Sequence, residues 1–183
     1  MKLSGYRAFS EARPNAAHRA IVELERRGKL EAVITQNVDG LHQAAGTSRE
    51  RLIELHGTNL EVDCVQCGRR EGPERAMEEF ERSGEPPRCE CGGFLKPAVV
   101  MFGQALKRED LVRAQAASRA ADLVLSLGSS LVVRPAADIP LAAASRGVPY
   151  VIVNRGETPH DPLATLRLDG DVSELLPLAL SGW

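Results

Sequence analysis

Two close pairs of cysteines, Cys64-Val-Gln-Cys67 and Cys89-Glu-Cys91, stand twenty-one residues apart in the middle of a 183-residue chain. Nothing else in the sequence restricts the fold as much. Four thiolates at this spacing suit a tetrahedral zinc site closed by protein ligands, which is structural because no position is left open for chemistry. Gly68 and Gly92-Gly93 follow the pairs, where tight turns around a metal need small residues. Disulfides are the competing reading, and they belong to oxidising compartments. The opening stretch, MKLSGYRAFSEARPN, has no apolar run of signal-peptide type, so a reducing cytoplasm is expected. A redox pair suits less well, since neither pair opens a helix after a strand. A zinc ribbon that grips nucleic acid is disfavoured by Glu71, Glu74, Glu78, Glu79 and Glu81 nearby.

The flanks of the cysteine stretch read differently. Pro14-Asn15 opens a segment with Ala17, Ile21, Val22 and Leu24 at helical spacing, and Gly28 closes it. Ala32 to Thr35 and Leu52 to Leu55 are short strand candidates. After the module, the sequence predicts a helix over Arg108–Ala121, a strand over Asp122–Leu127 and a helix over Pro135–Arg146. A strand over Val148–Asn154, a short one over Leu166–Leu168 and a helix from Asp171 to Leu180 complete the chain. Near-continuous apolar strands alternating with helices imply a parallel sheet covered on both faces. The expected class is therefore α/β: a Rossmann-like domain of residues 1–60 and 97–183 with an inserted zinc-binding module, 61–96. Aromatic residues are only 4% of the chain, so aliphatic side chains must fill the core. A net charge of −2 leaves no basic footprint for nucleic acid, and no apolar run is long enough for a membrane span.

In open α/β sheets ligands gather at the carboxyl ends of the strands. Three predicted strand ends carry unusual residues: Thr35-Gln36-Asn37-Val38-Asp39, then Gly128-Ser129-Ser130, then Asn154-Arg155-Gly156. A Gly-Ser-Ser turn lets backbone approach a phosphate or ribose, and its hydroxyls and an Asn at the next strand end supply hydrogen bonds. Each signal alone is weak, and their convergence on one sheet edge points to a nucleotide. His56, in Glu54-Leu55-His56-Gly57, shares that edge and suits a general base. His18 and His42 fall within helical turns and read as structural. Lys96, Arg108 and Arg134 read as solvated surface.

Taken together these residues resemble the sirtuin family of NAD-dependent protein-lysine deacylases. The resemblance runs from about Phe9 to Leu180. It rests on Pro14-Asn15-Ala16-Ala17-His18, Thr35-Gln36-Asn37-Val38-Asp39-Gly40-Leu41-His42, Glu54-Leu55-His56-Gly57 and the four cysteines. Leu95 to Gly103, Gly128-Ser129-Ser130-Leu131 and Ile152-Val153-Asn154 complete it. It implies that Gln36 holds the nicotinamide ribose, while Asn37 and Asp39 meet the carboxamide, since an amide and a carboxylate together satisfy another amide. His56 would be the base. Gly128, Ser129, Ser130, Asn154, Asp171 and Val172 would face the adenosine half. Val99, Val100, Met101, Phe102 and Gly103 would pair with the substrate peptide as an added strand. NAD and structural Zn2+ would be the cofactors, and an acylated lysine of a protein the partner, with neither nucleic acid nor membrane involved. The products would be free lysine, nicotinamide and O-acyl-ADP-ribose.

Three departures are expected to matter. Gln104 stands where many members carry Glu, and Ser129 where most carry Thr. The family also opens with a strand ending in Gly-Ala-Gly-Ile-Ser and an Asp-Phe-Arg segment, and Met1 to Gly5 match neither. The resemblance places that strand between those ending at Thr35 and Leu127. An N-terminally truncated or decayed copy, with impaired activity, is therefore expected. A non-catalytic module for an acyl peptide or an ADP-ribose-like ligand, or a protein mono-ADP-ribosyltransferase, are the alternatives.

Overall fold

The computed structural model describes residues 11–182; Met1 to Gly5 and Phe9, on which parts of the sequence reading fall, lie outside them. Helix α1 (Ala16–Arg26) starts at Asn15, whose side chain accepts the His18 N–H in a reciprocal capping box. Its Ala17, Ala20 and Ile21 turn inward, where Val33 of β1 (Val33–Thr35) and Leu52 of β2 (Leu52–Glu54) meet them. These two strands run parallel, with Val33 opposite Leu52 and Thr35 opposite Glu54. The short helix α2 (Leu41–Ala45) lies in the crossover between them. Side chains alternate across a strand, so Ile53 faces the opposite core with Ala114, Ala136 and Ile139. Both faces of this pair are covered, as the continuous apolar pattern predicts.

The inserted region is antiparallel. β3 (Gly57–Cys64) pairs with β4 (Arg70–Glu71) and β5 (Leu95–Val99), and helix α3 (Glu74–Ser83) covers them. Its own small core is Val62, Cys64, Ala76, Cys89 and Leu95. Neither these strands nor α3 shows in the sequence pattern. The register of β3 on β5 shifts between Thr58 and Val62, and Leu60 inside that shift is exposed. A bulge of this kind breaks the two-residue alternation that marks a strand.

The C-terminal half holds α4 (Arg108–Ala120) and a second parallel sheet. Its strands β6 (Val124–Leu127), β7 (Tyr150–Asn154) and β8 (Leu166–Asp169) lie side by side in that order. The helix predicted over 135–146 is broken. A 3-10 turn at Ala136–Asp138 precedes a four-residue α5 (Leu141–Ala144). Pro140 causes the break, because proline offers no N–H and crowds the preceding turn. Asp171 caps the last helix, α6 (Val172–Leu180), by accepting the Ser173 N–H at 2.7 Å.

Among the described residues no ladder joins β1–β2 to β6–β8. The two parallel pieces instead share a core: Leu125 and Leu127 of β6 and Val172 of α6 pack on the cluster of Ala17, Ile21, Val33 and Leu176. The prediction of strands buried on both faces fails at β6, where Val124, Leu125 and Leu127 are only half-buried. The break falls where the resemblance places a further strand. Among the described residues no helix is long and apolar enough to cross a membrane.

Candidate functional site

The end of β1 and the end of β2 meet because the strands are in register. Leu55 N–H donates to the Thr35 carbonyl at 3.0 Å, which brings Gln36 beside His56. His56 Nδ1 then lies 3.1 Å from the Gln36 backbone oxygen. A carbonyl only accepts, so Nδ1 carries the hydrogen and Nε2 presents its lone pair. Val100 N–H donates to the His56 carbonyl at 2.9 Å, and Asn59 N–H to the Val38 carbonyl at 2.9 Å. Gln36, Asn37, Asp39, His56, Val99 and Val100 are thereby held in one constellation.

Two glycines permit this closeness. A Cβ on Gly57 (φ +74°) would stand 2.1 Å from the Ala98 carbonyl oxygen, and one on Gly40 (φ +72°) would strike the Leu60 side chain at 2.6 Å. Within the loop the polar side chains organise one another. Asn37 N–H donates to Thr35 Oγ1 at 3.0 Å, Asn37 Nδ2 reaches Asp39 Oδ2 at 3.4 Å, and Asp39 Oδ1 accepts the Leu41 N–H at 3.0 Å. An amide donor and a carboxylate thus sit side by side, the set that complements a primary carboxamide.

Beyond Val100 the chain turns away. Met101 is 61% exposed and Phe102 99% exposed, in a turn that Gln104 closes by accepting the Met101 N–H at 2.9 Å. Gly103 adopts φ +85° in the same turn. Lys96 is not solvated surface: its Nζ donates to the carbonyls of Pro97 and Val99 at 3.1 and 3.3 Å. Arg134 pairs with Asp138 at 3.1 Å.

A second constellation sits on the other sheet. Gly128 N–H donates to Val153 O at 2.9 Å, and a Cβ on Gly128 would lie 3.5 Å from Val172. Asn154 is opposite Asp169, and Gly170 N–H donates to the Asn154 carbonyl at 3.3 Å. Gly128, Asn154, Asp171 and Val172 are therefore neighbours. Several of their polar groups serve the loops themselves. Ser129 Oγ accepts the Leu131 N–H at 3.2 Å, and Asn154 Nδ2 donates to the Arg155 and Gly156 carbonyls at 3.1 Å. Ser130 is exposed. Arg155, to which the sequence reading assigns no role, pairs with Asp171 at 2.6 Å. A cation next to a strand-terminal Asn is the signal that could have marked it. The Ser173 hydrogen bonds and Arg155 hold the Asp171 carboxyl below its ordinary range.

A cleft of about 500 Å3 adjoins Gly57, lined also by Arg49, Glu54, Glu61, Arg70 and Asp110 among others. Burial, with Glu61 and Asp110 nearby, raises the Glu54 carboxyl. This cleft carries none of the residues Gln36, His56 or Asn154.

The four cysteine sulfurs lie within 4.8 Å of one another. Sγ of Cys64 is 3.5 Å from that of Cys91, and Sγ of Cys67 is 3.8 Å from that of Cys89. All four thiols are free, and these separations are far beyond the roughly 2.05 Å of a disulfide. They match sulfurs arranged about one ion at about 2.3 Å. Backbone N–H groups of Cys67 and Gln66 point at Cys64 Sγ and lower its pKa to about 6, while the neighbouring sulfurs push the Cys91 thiol up to about 12. A Cβ on Gly93 would lie 2.8 Å from the same sulfur, so only glycine fits beside it.

Comparison with known proteins gives this geometry a context. The model of the Sir2 family matches residues 2–135. An NAD-dependent protein deacetylase of Haloarcula marismortui is 47% identical over 165 residues, covering 90% of this chain and 63% of that protein. NAD-dependent protein deacetylase 1 of Bradyrhizobium diazoefficiens is 44% identical over 168 residues, covering 92% of this chain and 66% of its own length. The chain thus spans just under two thirds of these curated relatives. A solved structure described as "Sir2-p53 peptide-NAD+" superposes with a TM-score of 0.90 at 42% identity, over 96% of this chain and 72% of that one. Another, "Sir2 bound to acetylated peptide", gives 0.91 at 41% identity, over 96% and 73%.

Proposed function

The chain belongs to the Sir2 family, and from that premise we propose that it serves NAD-dependent removal of acyl groups from protein lysines, releasing nicotinamide and O-acyl-ADP-ribose. The observation that carries the reading is the His56–Gln36 contact. It fixes the imidazole through Nδ1 beside the loop that presents Asn37 and Asp39, which leaves Nε2 for a substrate. His56 is then the general base: its Nε2 takes the proton from a ribose hydroxyl, and the Gln36 carbonyl steadies the imidazolium that results. Asn37 and Asp39 hold the carboxamide through the donor and acceptor they already align, and Gln36 holds the ribose. The second constellation, Gly128, Ser129, Ser130, Asn154, Asp171 and Val172, takes the adenosine half. Gly128 leaves backbone approachable, and the Asp171–Arg155 pair braces the rim.

Val99 to Gly103 offer backbone to an extended peptide, a mode that tolerates varied sequences. The unengaged side chains of Met101 and Phe102 are available to cover the aliphatic stem of an acyl-lysine. The curated relatives carry deacetylase names, and the superposing structures are described with acetylated or propionylated peptides. Cys64, Cys67, Cys89 and Cys91 would hold Zn2+ in the module of residues 61–96, where the ion closes the turns and takes no part in the reaction. Free thiols poised for metal suit a reducing compartment, so we place the protein in the cytoplasm.

The test pairs the wild type with His56→Ala. Nicotinamide release from NAD in the presence of an acetyl-lysine peptide is followed by chromatography, and O-acetyl-ADP-ribose by mass spectrometry. The variant is expected to lose about 100-fold or more in rate, the usual contribution of a general base. An unchanged rate would remove His56 from the mechanism. Calorimetric binding of acyl peptide without turnover by the wild type would favour a binding module instead.

A further inference from the structure

His18 and His42 have no part in the reaction as proposed, yet both feel the Asp39 carboxylate. Asp39 Oδ1 caps the first N–H of the helix Leu41–Ala45. That helix has five residues, too few to hold itself together, so its ends decide its position. Its C-terminal end is a Schellman motif. Gly46, at φ +104°, donates to the Gln43 carbonyl at 3.0 Å, and Thr47 donates to the His42 carbonyl at 3.0 Å. This motif places His42 and Thr47 at the two positions where an apolar pair commonly meets. Here both residues are polar. His42 Nδ1 and Thr47 Oγ1 are buried, and neither meets a hydrogen-bond partner among the described residues. Two such atoms in one turn are costly to leave bare. One water molecule between them would supply donors and acceptors to both.

The His42 ring packs against the His18 ring, with centroids 4.8 Å apart and planes tilted by 56°. His18 is itself fixed. Its Nδ1 lies 2.8 Å from Asn15 Oδ1, the same oxygen that accepts the His18 backbone N–H at 3.1 Å. The Asn15 backbone N–H also donates to His18 Nδ1 at 3.4 Å, so the capping box grips the ring as well as the backbone. Asn15, His18 and His42 thus buttress one side of the short helix, and Thr47 ends it.

We propose that His42 is a positioning residue for Asp39: a buried water shared by His42 Nδ1 and Thr47 Oγ1, with the His18 ring opposite, fixes the short helix that Asp39 caps and so sets how its carboxylate meets a carboxamide. The positioning role rests on the reading of Asp39 given above. The charged and titratable groups that act on the pair are Asp39, Arg19 and the two imidazoles themselves. Burial, reinforced by His18, lowers His42 to about 4.

The experiment uses the full chain with labelled histidines, and Thr47→Val with Thr47→Ser as the conservative variant. Imidazole nitrogen spectra report the His42 tautomer, and titration with nicotinamide itself reports the pocket. Thr47→Val is expected to shift the His42 Nδ1 resonance and weaken nicotinamide by up to about tenfold, the loss of one hydrogen bond. Thr47→Ser is expected to restore both. An Nδ1 resonance indifferent to Thr47→Val overturns the shared water. A shifted resonance with unaltered nicotinamide affinity overturns the positioning role. If the wild type binds no nicotinamide while Nδ1 still responds, Asp39 is not a carboxamide ligand and the positioning role falls with it, while the water site stands.

Discussion

The cysteine module and the strand-end edge are built on opposite principles. The module has one small cluster of Val62, Cys64, Ala76, Cys89 and Leu95, with Met77 also buried, and exposes Cys67 and Cys91. So few apolar contacts cannot hold three strands and a helix without help. The edge, by contrast, is held by parallel ladders and by cores on both faces of β1–β2, and its loops are tied by backbone hydrogen bonds. A module that needs a ligand to fold and a site that is folded before its ligand arrives should therefore fail separately.

Removing zinc gives the largest effect. A structural zinc site contributes on the order of 10 kcal/mol in small domains. Chelation, or Cys64→Ser, is expected to abolish protection of β3, β4, β5 and α3 against hydrogen exchange, while β6, β7 and β8 keep theirs. Metal analysis of the untreated protein should find about one zinc per chain, the capacity of one four-sulfur site. Equal loss of protection in both regions would break the comparison, and metal-free protein with paired thiols would remove the zinc site.

Gly57→Ala attacks a place where the regions meet. Gly57 begins β3 directly after His56 and pairs with Val99 of β5. Its positive φ costs any other residue about 1 kcal/mol, and the 2.1 Å approach to the Ala98 carbonyl demands a shift of backbone. We expect about 3 kcal/mol of lost stability, read from the denaturant midpoint. Because Val100 also bonds His56, nicotinamide release should fall as well. A stability loss without any loss of rate would show that the constellation survives independently of β3.

The sequence is informative where local rules act alone. The α1 cap at Asn15, the parallel strands and the four cysteines are all legible, because capping, apolar runs and metal-ligand spacing need no tertiary information. It fails where the path of the backbone overrides what the residue types suggest. Lys96 looks like surface but donates to Pro97 and Val99 carbonyls, and the helix across Pro140 breaks despite its alanines. Within the candidate site, Gln36, Asn37, Asp39 and His56 are legible as residue types at strand ends, but the His56–Gln36 contact follows only from the parallel register. Tyr150, fully buried, links Ser126 at 3.0 Å to His160 at 3.1 Å, and no spacing in the sequence announces that chain.

The smallest effect is a matter of pH and separates the regions once more. His18, His42 and His160 all lie outside the zinc module, and burial lowers each of them below the ordinary value of 6.5, His42 to about 4. Above pH 6.5 neither the folded nor the unfolded chain binds protons at these rings. As pH falls, the unfolded chain binds them first, so stability drops through the window from 6.5 to 4 and the loss from His42 is complete below its folded pKa. Discounted for solvent screening, His42 accounts for about 2 kcal/mol. Stability measured from pH 7 to 4 should therefore decline less in His42→Gln than in the wild type. The lowered carboxyls of Asp161 and Asp171 act mainly below this window, so they do not mask the difference. A His42→Gln profile parallel to the wild type across the window would mean that His42 is protonated in the fold, and the parallel-sheet side would lose its distinct acid response.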